Sequence, residues 1–469
     1  MIYAEGHDLV IGGVSATELV NTYSEPLYVY DAEVIEERCR RLRSLLPEHV
    51  RLLYSLKANP NLSIVGFLRN FVDGADVSSL REMYIASHAG FKPESMYFVG
   101  PSKSREELSE AVRSRIGCLV VESEDELKLA ESIARSEQVL LRAALRINPA
   151  FETAGSRLKM GGTARQFGID EEEIEGVIER ARSGEWVSIV GLHAYVGTRI
   201  LDWHVAVHNT REILAMARRL QDSTHLPLEF VDVGGGFGVP YYPNETEFNL
   251  EAYAAEASEV FQTYRAAMPR TTFVIELGRF LTADSGVYIT RVRYVKESRG
   301  QKYALVSGGM NHHHAASGAG SLVKHSFPVE VLNKMDLPKD QTVFVSGPLC
   351  TPADLLARGV MLPEVVPGDL IGILRSGAYG FTASPLAFIS HEWPREIMVY
   401  KGRHYLIRDI GVVDNILRGQ TLIEIDCGAA SRVQTVSTTG RAALGVAPGH
   451  GCEAGSIRDI TERQRAARA

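Results

Sequence analysis

Cysteine, basic surplus and long apolar runs are all scarce in this chain. Its five cysteines, Cys39, Cys118, Cys350, Cys427 and Cys452, are widely spaced, odd in number and contain no CxxC pair, which argues against both a disulfide framework and a zinc ribbon. A reducing cytoplasm fits that usage. The formal net charge is -8, whereas a nucleic-acid binder needs a basic face to neutralise phosphates, so nucleic acid is not an expected partner. No run reaches the roughly 18 apolar residues of a membrane-spanning helix. The opening MIYAEGHDLVIGG has acidic residues where a secretion signal carries a basic lead and an apolar core. Neither secretion nor a membrane partner is expected.

What remains is a chain of 469 residues, 45% hydrophobic and 23% charged, long enough for two or three globular domains. From PLYVYD onward, short apolar runs alternate with amphipathic stretches; DAEVIEERCRRLRSLL sets Val34, Ile35, Cys39, Leu42 and Leu46 on one helical stripe behind a cap at Asp31. The strand candidates that follow are RLLYSLKA, GADVSS, SMYFVG, CLVVES, LLRAALRIN, SIVGLHAYVG, LEFVDVGGG and TTFVIELG, with capping boxes at Ser104/Glu107 and Ser123/Glu126. Successive βα units of this kind imply a parallel sheet closed into a (β/α)8 barrel over 27–281. Runs such as SGVYITRVRYVKESRG, KYALVSGG, TVFVSG and DLIGILRSG lack intervening helices and read as an all-β domain over 282–415. The opening 1–26 has the same texture and is expected to complete it. The charged end, 416–469, reads as a peripheral extension.

Three stretches at expected strand ends carry chemistry. LLYSLKANPN places Lys57 at the end of an apolar run; alone, that reads as a solvated strand end. FVDVGGGFGVPYY clusters Gly234, Gly235, Gly236 and Gly238, where backbone NH groups can approach an anion. It lacks the helix opening of a dinucleotide fingerprint, because Pro240 interrupts it. IELGRF adds Glu276, Gly278 and Arg279. Amine, acid and anion site together are the parts that hold pyridoxal phosphate.

In that order YSLKAN, GADVSS, VGGGFG, ELGRF, GPLCTPAD and SGAYG resemble the motifs of the fold-type III pyridoxal phosphate decarboxylases, the group of diaminopimelate and ornithine decarboxylases. The resemblance spans about residues 25 to 410. It implies Lys57 as the Schiff-base residue, Glu276 at the pyridine nitrogen, and Asp76 beside the lysine. It also implies a phosphate cradle of Thr198, Gly235, Gly236, Gly278 and Arg279, joined by the Tyr379 hydroxyl. Cys350 is implied as the donor that protonates the α-carbon, reaching it from the partner subunit of a homodimer.

Three departures bear on substrate. In GLHAYVGT the family's second, ring-stacking histidine is replaced by Tyr195, which can stack but offers no imidazole, so His193 is left a supporting role. Thr351 follows Cys350 where family members carry an acid that grips a distal ammonium, and Asp354 lies close by as a further candidate near substrate. SGGMNHHHAASG has Ala315 and small residues where diaminopimelate enzymes read a far carboxylate; His312, His313 and His314 alternate faces and are not read as a metal site. This pattern resembles a natural-product subgroup, some of whose members act on an amino acid tethered to an acyl carrier protein. The expected activity is decarboxylation of an L- or D-α-amino acid, conjugated or carrier-bound. The alternatives are a free diamino acid such as diaminopimelate, ornithine or lysine, and racemisation or epimerisation on the same fold.

Overall fold

The computed structural model describes residues 1–151, 158–159, 164–182, 184–318, 325–409, 417, 419–424 and 434–436. The expected extension over 416–469 lies for the most part outside them. The chain divides into two units, Met1–Val412 and Val413–Ala469; the latter shows an antiparallel pair, Leu422–Glu424 with Gln434–Val436. The site described below lies wholly within Met1–Val412.

Eight parallel strands close into a barrel: β1 (Val50–Ser55), β2 (Gly74–Val77), β3 (Met96–Phe98), β4 (Cys118–Val121), β5 (Leu141–Asn148), β6 (Val187–His193), β7 (Phe230–Gly235) and β8 (Thr272–Leu277). Closure comes from β8 pairing with β1, Glu276 opposite Leu53. Leu53, Tyr97, Cys118, Val120, Ala144, Val190, Phe230 and Val274 form one buried cluster filling the inside, and the Tyr97 and Phe230 rings meet edge-on at 5.1 Å. Side chains alternate along a strand, so residues two beyond Phe230 and Val274 also point inward at the carboxyl end. Those residues are Asp232 and Glu276.

The helices follow their capping signals. Ala32–Leu45 starts on Asp31, which accepts from Glu33 N, and buries Ile35, Cys39 and Leu42. Ser104 and Glu107 form the full reciprocal box. Ser123 accepts from Glu126 N, but the Glu126 carboxylate turns to Lys103 at 2.5 Å and Glu122 N at 2.9 Å, so only half of that box forms. A buried ammonium outcompetes a cap donor.

The second sheet runs from β9 (Gly286–Ser298) through β10 (Gln301–Val306), with Gln341–Ser346 and Leu355–Leu362 beyond it. Leu27–Asp31, read in the sequence as the head of the barrel, lies in this sheet instead. It pairs antiparallel with β9 and parallel with Arg395–Tyr400. All five of its residues are buried, and a strand covered on both faces carries the same continuous apolar run whichever sheet receives it. The opening strands Ile2–Glu5, Asp8–Ile11 and Val14–Ser15 form their own antiparallel sheet. Their Leu9, Ile11 and Val14 share a core with Val29, Val287, Ile397 and Val399 of the second sheet.

Barrel and sheet are joined just past Lys57. Tyr379 N donates to Ala58 O at 2.8 Å, Asn59 Nδ2 to Gly377 O at 3.1 Å, and Asn61 Nδ2 to Glu396 Oε2 at 2.8 Å. Glu396 also accepts from Tyr30 at 2.7 Å. The Asn-Pro break after the lysine is therefore a buried seam.

Candidate active site

Lys57 stands in a single 3-10 turn, Leu56–Ala58, at the carboxyl end of β1. Its Nζ donates to Asp76 Oδ2 at 3.0 Å from the end of β2 and lies 5.7 Å from the centre of the Tyr195 ring. Burial pulls the amine's pKa down, but the Asp76 and Glu276 carboxylates more than offset it, and the net shift is upward. The amine is thus held as an ammonium. Asp76 is 1% exposed, and its Oδ1 has no hydrogen-bond partner.

At the opposite wall Arg279 opens the short helix Arg279–Thr282. Its guanidinium packs 4.4 Å from the Tyr379 ring centre and donates to Tyr241 Oη at 3.0 Å, while Nε is buried without a partner. The glycines are there because nothing larger fits. A Cβ on Gly236 would lie 2.0 Å from Gly197 O, one on Gly235 2.1 Å from Glu276 O, and one on Gly278 2.7 Å from Ala58 Cβ. Gly236 also has φ +75°, which L side chains rarely adopt. Lys57, Tyr195, Thr198, Gly236, Glu276, Gly278, Arg279 and Tyr379 line one cavity, together with Ser55; Gly235 lines the adjoining one.

Glu276, in the cavity lining, is buried with His193 and Asp232, their facing polar atoms within 4.8 Å of one another, and His193 Nε2 is 3.5 Å from Glu276 Oε1. Burial tends to raise the Glu276 pKa, but His193 and Lys57 draw it down to about 2. Asp232 is the neighbour that sequence reasoning missed. Its one legible signal was an acid within the apolar FVDV run, two residues ahead of the glycine cluster.

The remaining candidates lie elsewhere. Cys350 is exposed, and neither it nor Thr351 lines the Lys57 cavity. Asp354 does not present a free carboxylate to a substrate. Its Oδ1 accepts from Met310 N at 2.6 Å and its Oδ2 from Leu349 N at 2.8 Å, which clamps the loop bearing Cys350 against the loop after β10. His312 and His313 are consumed in the core, by Tyr288 Oη at 3.0 Å and Ser376 Oγ at 2.9 Å respectively.

The chain matches the pyridoxal-dependent decarboxylase family, pyridoxal binding domain, over residues 32–283. An L-glutamyl-[BtrI acyl-carrier protein] decarboxylase of Niallia circulans is 37% identical over 415 residues, 87% of this chain and 96% of the relative. The chain belongs to the pyridoxal-dependent decarboxylases. Diaminopimelate decarboxylase of Methanothermobacter thermautotrophicus is 32% identical, covering 89% of this decarboxylase and 96% of the relative. The crystal structure of Helicobacter pylori diaminopimelate decarboxylase complexed with L-lysine matches with a TM-score of 0.75 and 29% identity, over 86% of this chain and 98% of that one.

The cofactor of this decarboxylase is pyridoxal phosphate, and the residues present fit it. Glu276 and Arg279, which line the cavity, and Asp76 and His193, which contact its Lys57 and Glu276, each have a buried polar atom without a partner. Buried polar atoms left without partners in a folded protein call for a ligand or water. An amine at one end, an acid below and a guanidinium with close backbone at the other reproduce the aldehyde, ring-nitrogen and phosphate ends of that cofactor.

Proposed function

We propose that this decarboxylase removes the α-carboxylate of an amino acid whose far end is conjugated or carried on an acyl carrier protein. The observation that carries the chemistry is the cavity lined by Lys57, which Asp76 holds from behind, and by Glu276, Arg279 and Gly236. Bound there, pyridoxal phosphate supplies the electron sink for the carbanion left when carbon dioxide departs. Lys57 anchors it through its amine, and Asp76 neutralises that end. Tyr195 offers its ring face beside the lysine, replacing an imidazole stack. Arg279, Thr198, Tyr379 and the glycine backbone hold a dianion. Glu276, kept ionised, holds a proton on the ring nitrogen.

Substrate reading rests on what is missing. Thr351 and Ala315 carry no charge, so neither of these two positions offers an ionic grip on a distal ammonium or carboxylate. A thioester or amide arm needs none. The name of the Niallia circulans relative describes such a carrier-bound glutamyl group. Cys350, exposed and outside the cavity of its own chain, protonates the α-carbon in the partner's site of a homodimer. The enzyme works in the cytoplasm, and among the described residues no helix is long and apolar enough to cross a membrane.

A mass-spectrometric screen for loss of carbon dioxide from free amino acids, their amides and carrier thioesters tests this, with Lys57→Ala as the inactive control. Conjugates should turn over and free diaminopimelate should not. Diaminopimelate turned over at least as fast as any conjugate overturns the substrate reading, and racemisation without carbon dioxide overturns the reaction.

A further inference from the structure

We propose that Asp232 is a positioning residue that remains a neutral carboxylic acid in the working enzyme and donates its proton in a hydrogen bond to Glu276, fixing Glu276 as the anion beneath the cofactor's ring nitrogen. This rests on the cofactor reading given above and extends it by one residue.

The geometry leaves Asp232 little choice. Its Oδ1 accepts from Gly234 N at 2.8 Å. Its Oδ2 is buried and unpartnered, as is Glu276 Oε1, and the two carboxyls share a space 4.8 Å across with His193. Two buried acceptor-only carboxylates facing each other repel, and a single proton between them turns the repulsion into a hydrogen bond. The surroundings decide where it resides. Glu276 is approached by the His193 imidazole from β6 and by the Lys57 ammonium from the end of β1. Asp232 accepts a hydrogen bond from the Gly234 amide alone among the described residues; it shares His193 across the 4.8 Å space, and its other neighbours are the Asp76 carboxylate, the Tyr97 phenol with Arg51 and the Cys118 thiol with Arg142. Burial and then the Glu276 charge push the Asp232 carboxyl well above the ordinary range.

The consequence is a division of labour between two acids at the carboxyl end of the barrel. A lone buried Glu276 could take up the proton intended for the ring nitrogen and fall neutral. With Asp232 as donor, the oxygen facing away from the cofactor is satisfied and the charge stays on the oxygen facing it. The Gly234 amide orients Asp232, so the device is built into the same turn that forms the anion cradle.

An amide can replace a neutral acid in this arrangement but not an ionised one. Asparagine can accept from Gly234 N through its oxygen and donate to Glu276 through its nitrogen. The experiment compares Asp232→Asn, Asp232→Ala and wild type as full-length holoenzymes, by pyridoxal phosphate affinity and by infrared difference spectroscopy of protonated carboxyl groups. The expected result is a protonated-carboxyl band in wild type at neutral pH that Asp232→Asn removes. Cofactor affinity should stay within about threefold for Asn and fall by about tenfold or more for Ala, because Ala leaves the Glu276 acceptor buried without a donor. A wild-type spectrum lacking that band, or Asn weakening the cofactor as much as Ala, overturns the proposal. Wild-type protein that takes up no pyridoxal phosphate would instead remove the underlying cofactor reading, so the two failures are distinct. Should Ala not fold, the infrared comparison with Asn still decides.

Discussion

Lys57 behaves differently from the neutral nucleophile that its motif suggests. Asp76 at 3.0 Å keeps it charged, and only an unprotonated amine attacks an aldehyde. Cofactor-free protein should therefore capture pyridoxal phosphate faster as pH rises from about 6 to about 9, and Asp76→Asn should move that profile to lower pH. Stopped-flow absorbance measures both; a pH-independent capture rate contradicts the ion pair. Buried His312 and His313 have the opposite tendency. Burial lowers them from 6.5 to about 4 and about 3, so the unfolded chain binds more protons than the native one below about pH 6.5. Their contribution to stability is then full above about pH 6.5 and is lost as pH falls toward about 3. Thermal unfolding across that range should show the decline, and His313→Gln should flatten it. Most residues lining the Lys57 cavity were legible at this scale because each sits inside a recognisable motif. Asp232 was not, since an acid in an apolar run resembles any rim carboxylate until the facing strand is known.

Among elements, strand order along the chain was easier to read than sheet membership. The eight barrel strands coincide with the eight apolar runs from RLLYSLKA to TTFVIELG, whereas Leu27–Asp31 carries no mark of which sheet it joins, because partners far along the chain, in β9 and Arg395–Tyr400, decide it. Loop contacts were similarly hidden. Asp354 has the sequence position of a substrate contact, yet it ties the Cys350 loop to the loop after β10, where Gly309 and Gly347 leave room for its carboxylate alone. Asp354→Ala would strand two amide donors and should lower stability by about 2 kcal/mol or more. Decarboxylation should fall along with it, because the Cys350 loop loses its clamp. Denaturant titration beside a rate assay tests this, and unchanged stability would show that the clamp is dispensable.

Taken as a whole molecule, the barrel supplies most of the lining of the Lys57 cavity, and the part that holds the second sheet supplies Tyr379 and the loop of Cys350. Cys350 lies outside its own chain's cavity, and if the proposed homodimer shares its sites, mixing Lys57→Ala with Cys350→Ala should restore on the order of a quarter of wild-type activity through one intact site per mixed dimer. No recovery after verified exchange would place the donor elsewhere. The proposed pairing cannot be read from one chain's composition or periodicity, since a shared site would need a two-fold axis that local sequence does not encode.

The most direct test of the central claim is borohydride reduction of the holoenzyme followed by peptide mapping. Pyridoxyl mass on the peptide containing Lys57, and its loss in Lys57→Ala, is the predicted result. Label on any other lysine, or no label when the protein is saturated with pyridoxal phosphate, contradicts the site.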